Sequence, residues 1–229
     1  MIVVGIDDTD MPDTRGTGKL ARIIAADLAA DFTVVGVVRH QLWFDPQVPY
    51  TAKNSSAALI LHAAPQMRDR IFARVEAVMR PQNEDGSDPG LAVASADISP
   101  TIIDWGYRAK RELLQRDEAF ALARQHNIRL RGLAGTQDGV IGALASIGLT
   151  HSSNDGRYIQ IGTIRDVTLP CSVERIQQTG IVAIRTRDDR PVTRGMVHGK
   201  NLRPARRNAQ AILYVEQVRA GVYHALKIN

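Results

Sequence analysis

The chain has 229 residues, a net charge of +5, 44% hydrophobic and 23% charged residues, which suits a soluble globular protein of one large domain or two small ones. Cys171 is the only cysteine, so an intramolecular disulfide and a cysteine-based zinc ribbon are both excluded. No apolar stretch approaches bilayer length, and the N-terminal apolar run lacks a basic flank and breaks at Asp7, so neither a membrane span nor a signal peptide is expected and the expected compartment is the cytoplasm.

The first ten residues, MIVVGIDDTD, run from a β-branched strand into three carboxylates, Asp7, Asp8 and Asp10. Arg15, Gly16, Thr17, Gly18 and Lys19 follow, and then the helical spacing of Leu20, Ile23, Ile24 and Leu28. Crowded acids repel unless a cation or polar donors offset them, and Mg²⁺ is the natural offset because it favours carboxylate and phosphate oxygens. Beside a helix start with free N–H groups, the segment reads as a site for phosphate chemistry on a nucleotide, with Thr9, Gly16, Gly18 and Lys19 as candidate contacts. The bland alternative is that Asp and Thr only end a strand and cap a helix. A Walker A loop is excluded, because Asp13 and Leu20 stand where it needs Gly and Ser or Thr.

Further along, 32–44 reads as a strand, 45–50 as a proline-punctuated connection, 56–62 as a strand, 67–79 as a helix and 91–96 as a strand. The order β-α-β-β-α-β matches a ferredoxin-like arrangement, a four-stranded sheet with two helices on one face. Lys53 and Asn54 place a cation and polar donors at a strand entrance. The stretches 100–115 and 117–126 read as helices, 140–149 as an apolar helix, 157–164 and 181–184 as strands, and 211–228 as a hairpin. The fold class is therefore mixed α/β (α+β) in two sheet-and-helix halves, 1–116 and 117–229, with the boundary expected between residues 97 and 127.

Residues 132–142, GLAGTQDGVIG, carry glycines at 132, 135, 139 and 142 before a helix. Bare backbone there can approach a phosphate, with Gln137, Gly139 and Gly142 as candidate contacts. Equally, the glycines can serve close helix–sheet packing. The six histidines have no metal-ligand spacing. Residues 175–229 carry eleven bases against three acids, and 1–50 carry seven acids against four bases. A basic tail suggests a polyanion partner, or else Arg185, Arg187, Arg190 and Arg194 are solvated charges around a turn.

In order, Gly5-Ile6-Asp7-Asp8-Thr9-Asp10, Thr17 before a helix, the 45–50 connection, Ser87-Asp88-Pro89-Gly90 and the 139–145 helix start (GVIGALA) resemble the catalytic core of the archaeal tRNA(Ile2) 2-agmatinylcytidine synthetases. Those enzymes use ATP to activate a cytosine carbonyl for attack by agmatine. The resemblance implies that Asp7, Asp8 and Asp10 hold Mg²⁺ and the ATP phosphates, and that Thr17 matches the family's phosphoryl-accepting threonine. It runs over most of residues 1–165 and more loosely to about 200, and no counterpart of the family's OB-fold and zinc ribbon is expected here. The expected activity is ATP-dependent phosphoryl transfer that activates a carbonyl, of an RNA base or a small amide-like substrate, for amine attack. The alternative is a non-catalytic nucleotide- or RNA-binding protein working through its basic C-terminal segment.

Overall fold

A computed structural model describes residues 1–9, 16–48, 54–82 and 86–228. Contacts divide the chain into two compact units, Met1–Ser152 and Ser153–Asn229. The first contains β1 (Ile2–Asp7), α1 (Thr17–Leu28), β2 (Thr33–Gln41), β3 (Ser55–His62), α2 (Arg68–Met79), β4 (Gly90–Ser95), α3 (Pro100–Arg108), α4 (Arg116–Gln125), β5 (Arg129–Gly132) and α5 (Gly139–His151). Its strands run β5-β4-β1-β3-β2, every pair antiparallel.

Both faces of this sheet are covered. Every residue of β1 is buried, and the strand pleat sends alternate side chains to opposite faces. One face receives α1, packed on β2 and β3, and α2, packed on β4. The other face receives α5, which lies across β1, β3 and β4 and is backed by α3 and α4. That sandwiching explains why α5 is apolar on all sides rather than striped. Helix and sheet approach at backbone distance: a Cβ on Gly5 would stand 2.2 Å from the Ala143 carbonyl oxygen, and one on Gly148 would stand 1.9 Å from that of Ile102. Trp105, fully buried, ties α3 to α5 by donating from Nε1 to the Ile141 carbonyl at 3.2 Å.

Three expectations are corrected. α1 and α2 share one face, but the sheet has five strands instead of four and α5 covers its other face. The helix expected over 100–115 ends at Arg108, because the Ala109 carbonyl accepts from the Trp43 N–H at 3.0 Å instead of continuing the helix. The boundary falls after Ser152 and not after residue 116, because α4, β5 and α5 complete the first core: Ala119, Ala123 and Ile128 share one buried cluster with Val3, Ala58 and Ala92.

On α2, Glu76 accepts from Arg131 of β5 at 2.8 Å and from Arg80 one turn on. Burial alone would raise its pKa, but the hydrogen bonds from Arg131 and Arg80 outweigh it and hold the carboxyl below its ordinary value. A folded pKa below the unfolded one gives stability that is present above the unfolded value and lost as pH falls through the folded one. Both arginines are about half exposed, so Glu76→Gln should cost no more than about 1 kcal/mol at pH 7. Thermal unfolding at pH 7 and pH 3 checks this, with the gap between parent and variant closing at the lower pH.

The second unit contains β6 (Arg157–Gln160), β7 (Cys171–Ser172), α6 (Val173–Gln177), β8 (Ala183–Thr186), β9 (Met196–His198), β10 (Ala205–Arg207), β11 (Gln210–Arg219) and β12 (Val222–Ala225). Its strand order is β6-β10-β11-β12-β9-β7, with β8 pairing β11 in parallel. The expected hairpin is β11–β12, turning at Ala220-Gly221. Cys171, Val173, Ile176, Ile184, Val197 and Leu213 lie in its core. Among the described residues no helix is long and apolar enough to cross a membrane.

Candidate nucleotide site

The end of β1 carries the acidic pair. Asp7 is buried, and its Oδ2 lies 1.7 Å from where a Cβ on Gly142 would stand, so the carboxylate rests on the bare backbone of the first turns of α5. Asp8, half-buried, takes a left-handed backbone (φ 48°), a conformation that Asp tolerates better than most residues. Its Cβ is 3.1 Å from the Cβ position of Gly139. Thr9 is buried, and its hydroxyl donates to Thr17 Oγ1 at 3.2 Å. Thr17 is the first residue of α1; the cap position is Gly16, with no side-chain capping bond. Thr17 is therefore not the helix cap. Gly18 and Lys19 complete the first turn of α1, Lys19 exposed. Asp10 and Lys53 lie outside the described residues.

The glycine loop does something narrower than expected. The Gly139 N–H donates to the Asp88 carbonyl at 3.0 Å, Val140 N–H to Gln137 at 3.2 Å and Ile141 N–H to Asp138 at 3.0 Å. These first-turn donors are taken by backbone, so the glycines serve close packing here. A Cβ on Gly90 would stand 2.1 Å from the Gly139 carbonyl oxygen. Gln137, exposed, lays its Cβ and Cγ over Gly132. Asn54 is likewise structural: its side-chain amide donates to the Trp43 carbonyl at 2.6 Å, while its own carbonyl accepts from the Leu42 N–H at 3.0 Å.

Asp88 was missed as a site residue by sequence reasoning. Its carboxylate accepts the Thr136 N–H, and its carbonyl caps Gly139, so it ties the 133–138 loop to the acidic end of β1. The Arg116 guanidinium also holds that loop through the Thr136 carbonyl. The motif Ser87-Asp88-Pro89-Gly90 was visible, but its use depends on Gly90 pairing with Gly132 of β5, a strand that was not anticipated.

Among the described residues no cluster of three or more His, Cys, Asp or Glu side chains is placed to hold a metal ion. Mg²⁺ is nevertheless commonly held by one or two carboxylates together with substrate phosphates and waters. The hard oxygens of Asp7 and Asp8, adjacent at one strand end, fit that chemistry.

In the second unit the basic segment is less available than its count suggests. Arg185 pairs with Asp189 at 3.0 Å and Arg190 with Asp188 at 2.6 Å. Arg206 is buried, beside a Tyr158 phenol that burial pushes up in pKa and Arg206 partly draws down.

No protein-family model matches the chain. It is 24% identical over 153 residues to the tRNA(Ile2) 2-agmatinylcytidine synthetase TiaS of Pyrococcus horikoshii, a match covering 65% of this chain and 35% of that protein. It is 25% identical over 156 residues to an uncharacterized protein of Methanocaldococcus jannaschii, covering 65% of this chain and 49% of that one. Solved structures of apo TiaS (TM-score 0.56) and of TiaS with tRNA(Ile2) and ATP (TM-score 0.57), each 22% identical, cover 64% of this chain and 35–36% of theirs. The chain resembles TiaS in sequence and shares its fold. That likeness covers the catalytic part and not the other TiaS domains. The chain spans between about a third and a half of the length of the curated relatives it matches.

Proposed function

We propose that this chain is an ATP-dependent phosphoryl-transfer enzyme related to the tRNA-modifying ligase TiaS. The observation that carries the reading is the meeting of Asp7, Asp8 and the Thr9–Thr17 hydroxyl pair at the end of β1, on a fold shared with a protein solved in complex with tRNA(Ile2) and ATP. Asp7 and Asp8, together with Asp10, would hold Mg²⁺ and through it the ATP phosphates. Bound Mg²⁺ would supply electrostatic stabilisation of the transferring phosphoryl group. The chain's own residues do the rest. Asp7 is held on α5 and Asp8 in a fixed left-handed turn, so both carboxylates are pre-aimed. Thr9 donates to Thr17 and fixes its rotamer, which presents the Thr17 oxygen as nucleophile. In the transfer the Thr17 Oγ–P bond forms, the bond from the γ-phosphorus to the ADP oxygen breaks, and the hydroxyl proton passes to a carboxylate of the acidic pair. The phosphoryl group then passes to a carbonyl oxygen of an RNA base or a small amide-like substrate: the new O–P bond forms, the Thr17 Oγ–P bond breaks and Oγ takes its proton back. An amine then forms a C–N bond at the activated carbon, loses a proton and expels phosphate as the C–O bond breaks. Agmatine, found in a TiaS complex with AMPCPP and tRNA(Ile2), shows the kind of amine involved there.

The test is mass spectrometry after incubation with Mg·ATP. Phosphate is expected on Thr17 in the parent and in Thr17→Ser, and not in Thr17→Val, which keeps the shape of this buried site without the hydroxyl. Phosphate of equal stoichiometry on Thr17→Val would move the acceptor elsewhere. No phosphoprotein and no ATP turnover in any variant would overturn the enzymatic reading.

A further inference from the structure

Strand register places a second polar group beside Asp7. Asp7 pairs with Gly90 of β4 on one side. On the other, one residue beyond the Ile6–Ala57 pair, antiparallel register sets it across from Ser56 of β3. Ser56 in turn pairs with His40 of β2. All three side chains point at α5. Asp7 meets Gly142; His40 Nε2 lies 3.0 Å from Thr150 Oγ1; and Ala58, two residues from Ser56, shares a buried cluster with Ala143. The row Asp7–Ser56–His40, closed by Thr150, is buried throughout, with Ser56, His40 and Thr150 at 0% exposure. Around it that face is lined by Val3, Ala58, Ala92 and Ala94.

Ser56 Oγ makes no hydrogen bond. A buried hydroxyl without a partner loses its hydration with nothing to offset it and so destabilises the fold. Alanine occupies the next two positions, Ala57 and Ala58, and would fit here without that cost. The hydroxyl is therefore not maintained by the stability of the fold. Because β3 lies between β1 and β2, the side chains flanking it across the strands are Asp7 and His40. Directly opposed residues in an antiparallel pair stand about 5 Å apart at Cβ, so one rotation about χ1 brings Oγ–H to the Asp7 carboxylate.

We propose that Ser56 is a positioning residue: when nucleotide binds, its hydroxyl donates to the Asp7 carboxylate and fixes its orientation, with His40 and Thr150 closing the far end of the row. The inference rests on the nucleotide-site reading above. The experiment compares parent, Ser56→Ala and Ser56→Cys in two readouts, thermal unfolding without nucleotide and affinity for Mg·AMPCPP. Ser56→Ala should unfold at the same temperature as the parent or higher, yet bind Mg·AMPCPP about tenfold more weakly, the scale of one hydrogen bond to a charged group. Ser56→Cys, similar in size with a weak S–H donor, should fall between them. Binding by the parent with unchanged affinity in Ser56→Ala overturns this inference alone. A lower unfolding temperature for Ser56→Ala without nucleotide also overturns it, since the hydroxyl is then structural. A parent that binds no Mg·AMPCPP overturns it together with the nucleotide-site reading.

Discussion

Asp7→Asn should lose about a thousandfold in Mg·ATP turnover while unfolding at the same temperature as the parent, or a higher one. Removing a single preorganised electrostatic group from a phosphoryl-transfer site costs about 10²–10³ in rate, and a neutral amide cannot replace a carboxylate in holding Mg²⁺. The stability argument runs the opposite way. Asp7 is only 8% exposed, and taking a carboxylate out of water carries a desolvation cost even where partners offset part of it. An isosteric amide at that position relieves part of that cost. Activity and stability moving in opposite directions is the signature of a residue kept for chemistry. Unchanged turnover would reduce the acidic run to a strand end. A large drop in unfolding temperature would make Asp7 a structural anchor of α5.

Gly90→Ala should be the most damaging single methyl in the first unit. Its Cβ would stand 2.1 Å from the Gly139 carbonyl oxygen, 2.2 Å from the carbonyl carbon and 2.4 Å from Val140 N. All three are backbone atoms, so no side chain can swing away, and β4 and the start of α5 must separate. Overpacking of a core typically costs about 1–3 kcal/mol, occasionally more, and this site belongs at the upper end. For a chain of this size about 3 kcal/mol corresponds to a fall of roughly 6–12 °C in Tm. Gly221→Ala provides the internal comparison. Gly221 has φ 69° and open space within 4 Å, so its substitution costs only the left-handed backbone, about 1 kcal/mol. Near-equal unfolding temperatures for the two variants would refute the close backbone packing of α5 on β4.

Much of the site was readable because its parts are local. A β-branched run ending in Asp7 and Asp8 is a strand end in any context, and β11–β12 announced itself through two apolar runs on either side of Arg219-Ala220-Gly221. Tertiary relations were harder to read. Arg129–Gly132 has no β-branched residue and becomes a strand only because β4 offers an edge. Without β5 there was no reason to bring Asp88 to the glycine loop. The glycines at 139 and 142 fitted phosphate approach and tight packing equally well. The choice depended on where the N–H groups of residues 139–141 point, and they turn to neighbouring carbonyls. The unit boundary was misplaced because the polar surfaces of α3 and α4 resemble a linker region until α5 is seen to need their apolar sides. Ser56 could be read only as one of the polar donors at the entrance to β3, and its place beside Asp7 is set by register.

The placement of α5 also governs the order in which this protein can be made. β1 ends at residue 7, and the helix that covers one of its faces begins only at residue 139. Until that helix emerges, the side of the sheet bearing Gly5, Asp7 and Gly90 has nothing to pack against, and its strand pairs form without their principal apolar partner. Domains fold as units during synthesis, and pairings between distant segments are slow to form. The nascent chain must therefore hold an unfinished sheet until α5 has been made, and the acidic corner takes its shape only when α5 closes over it.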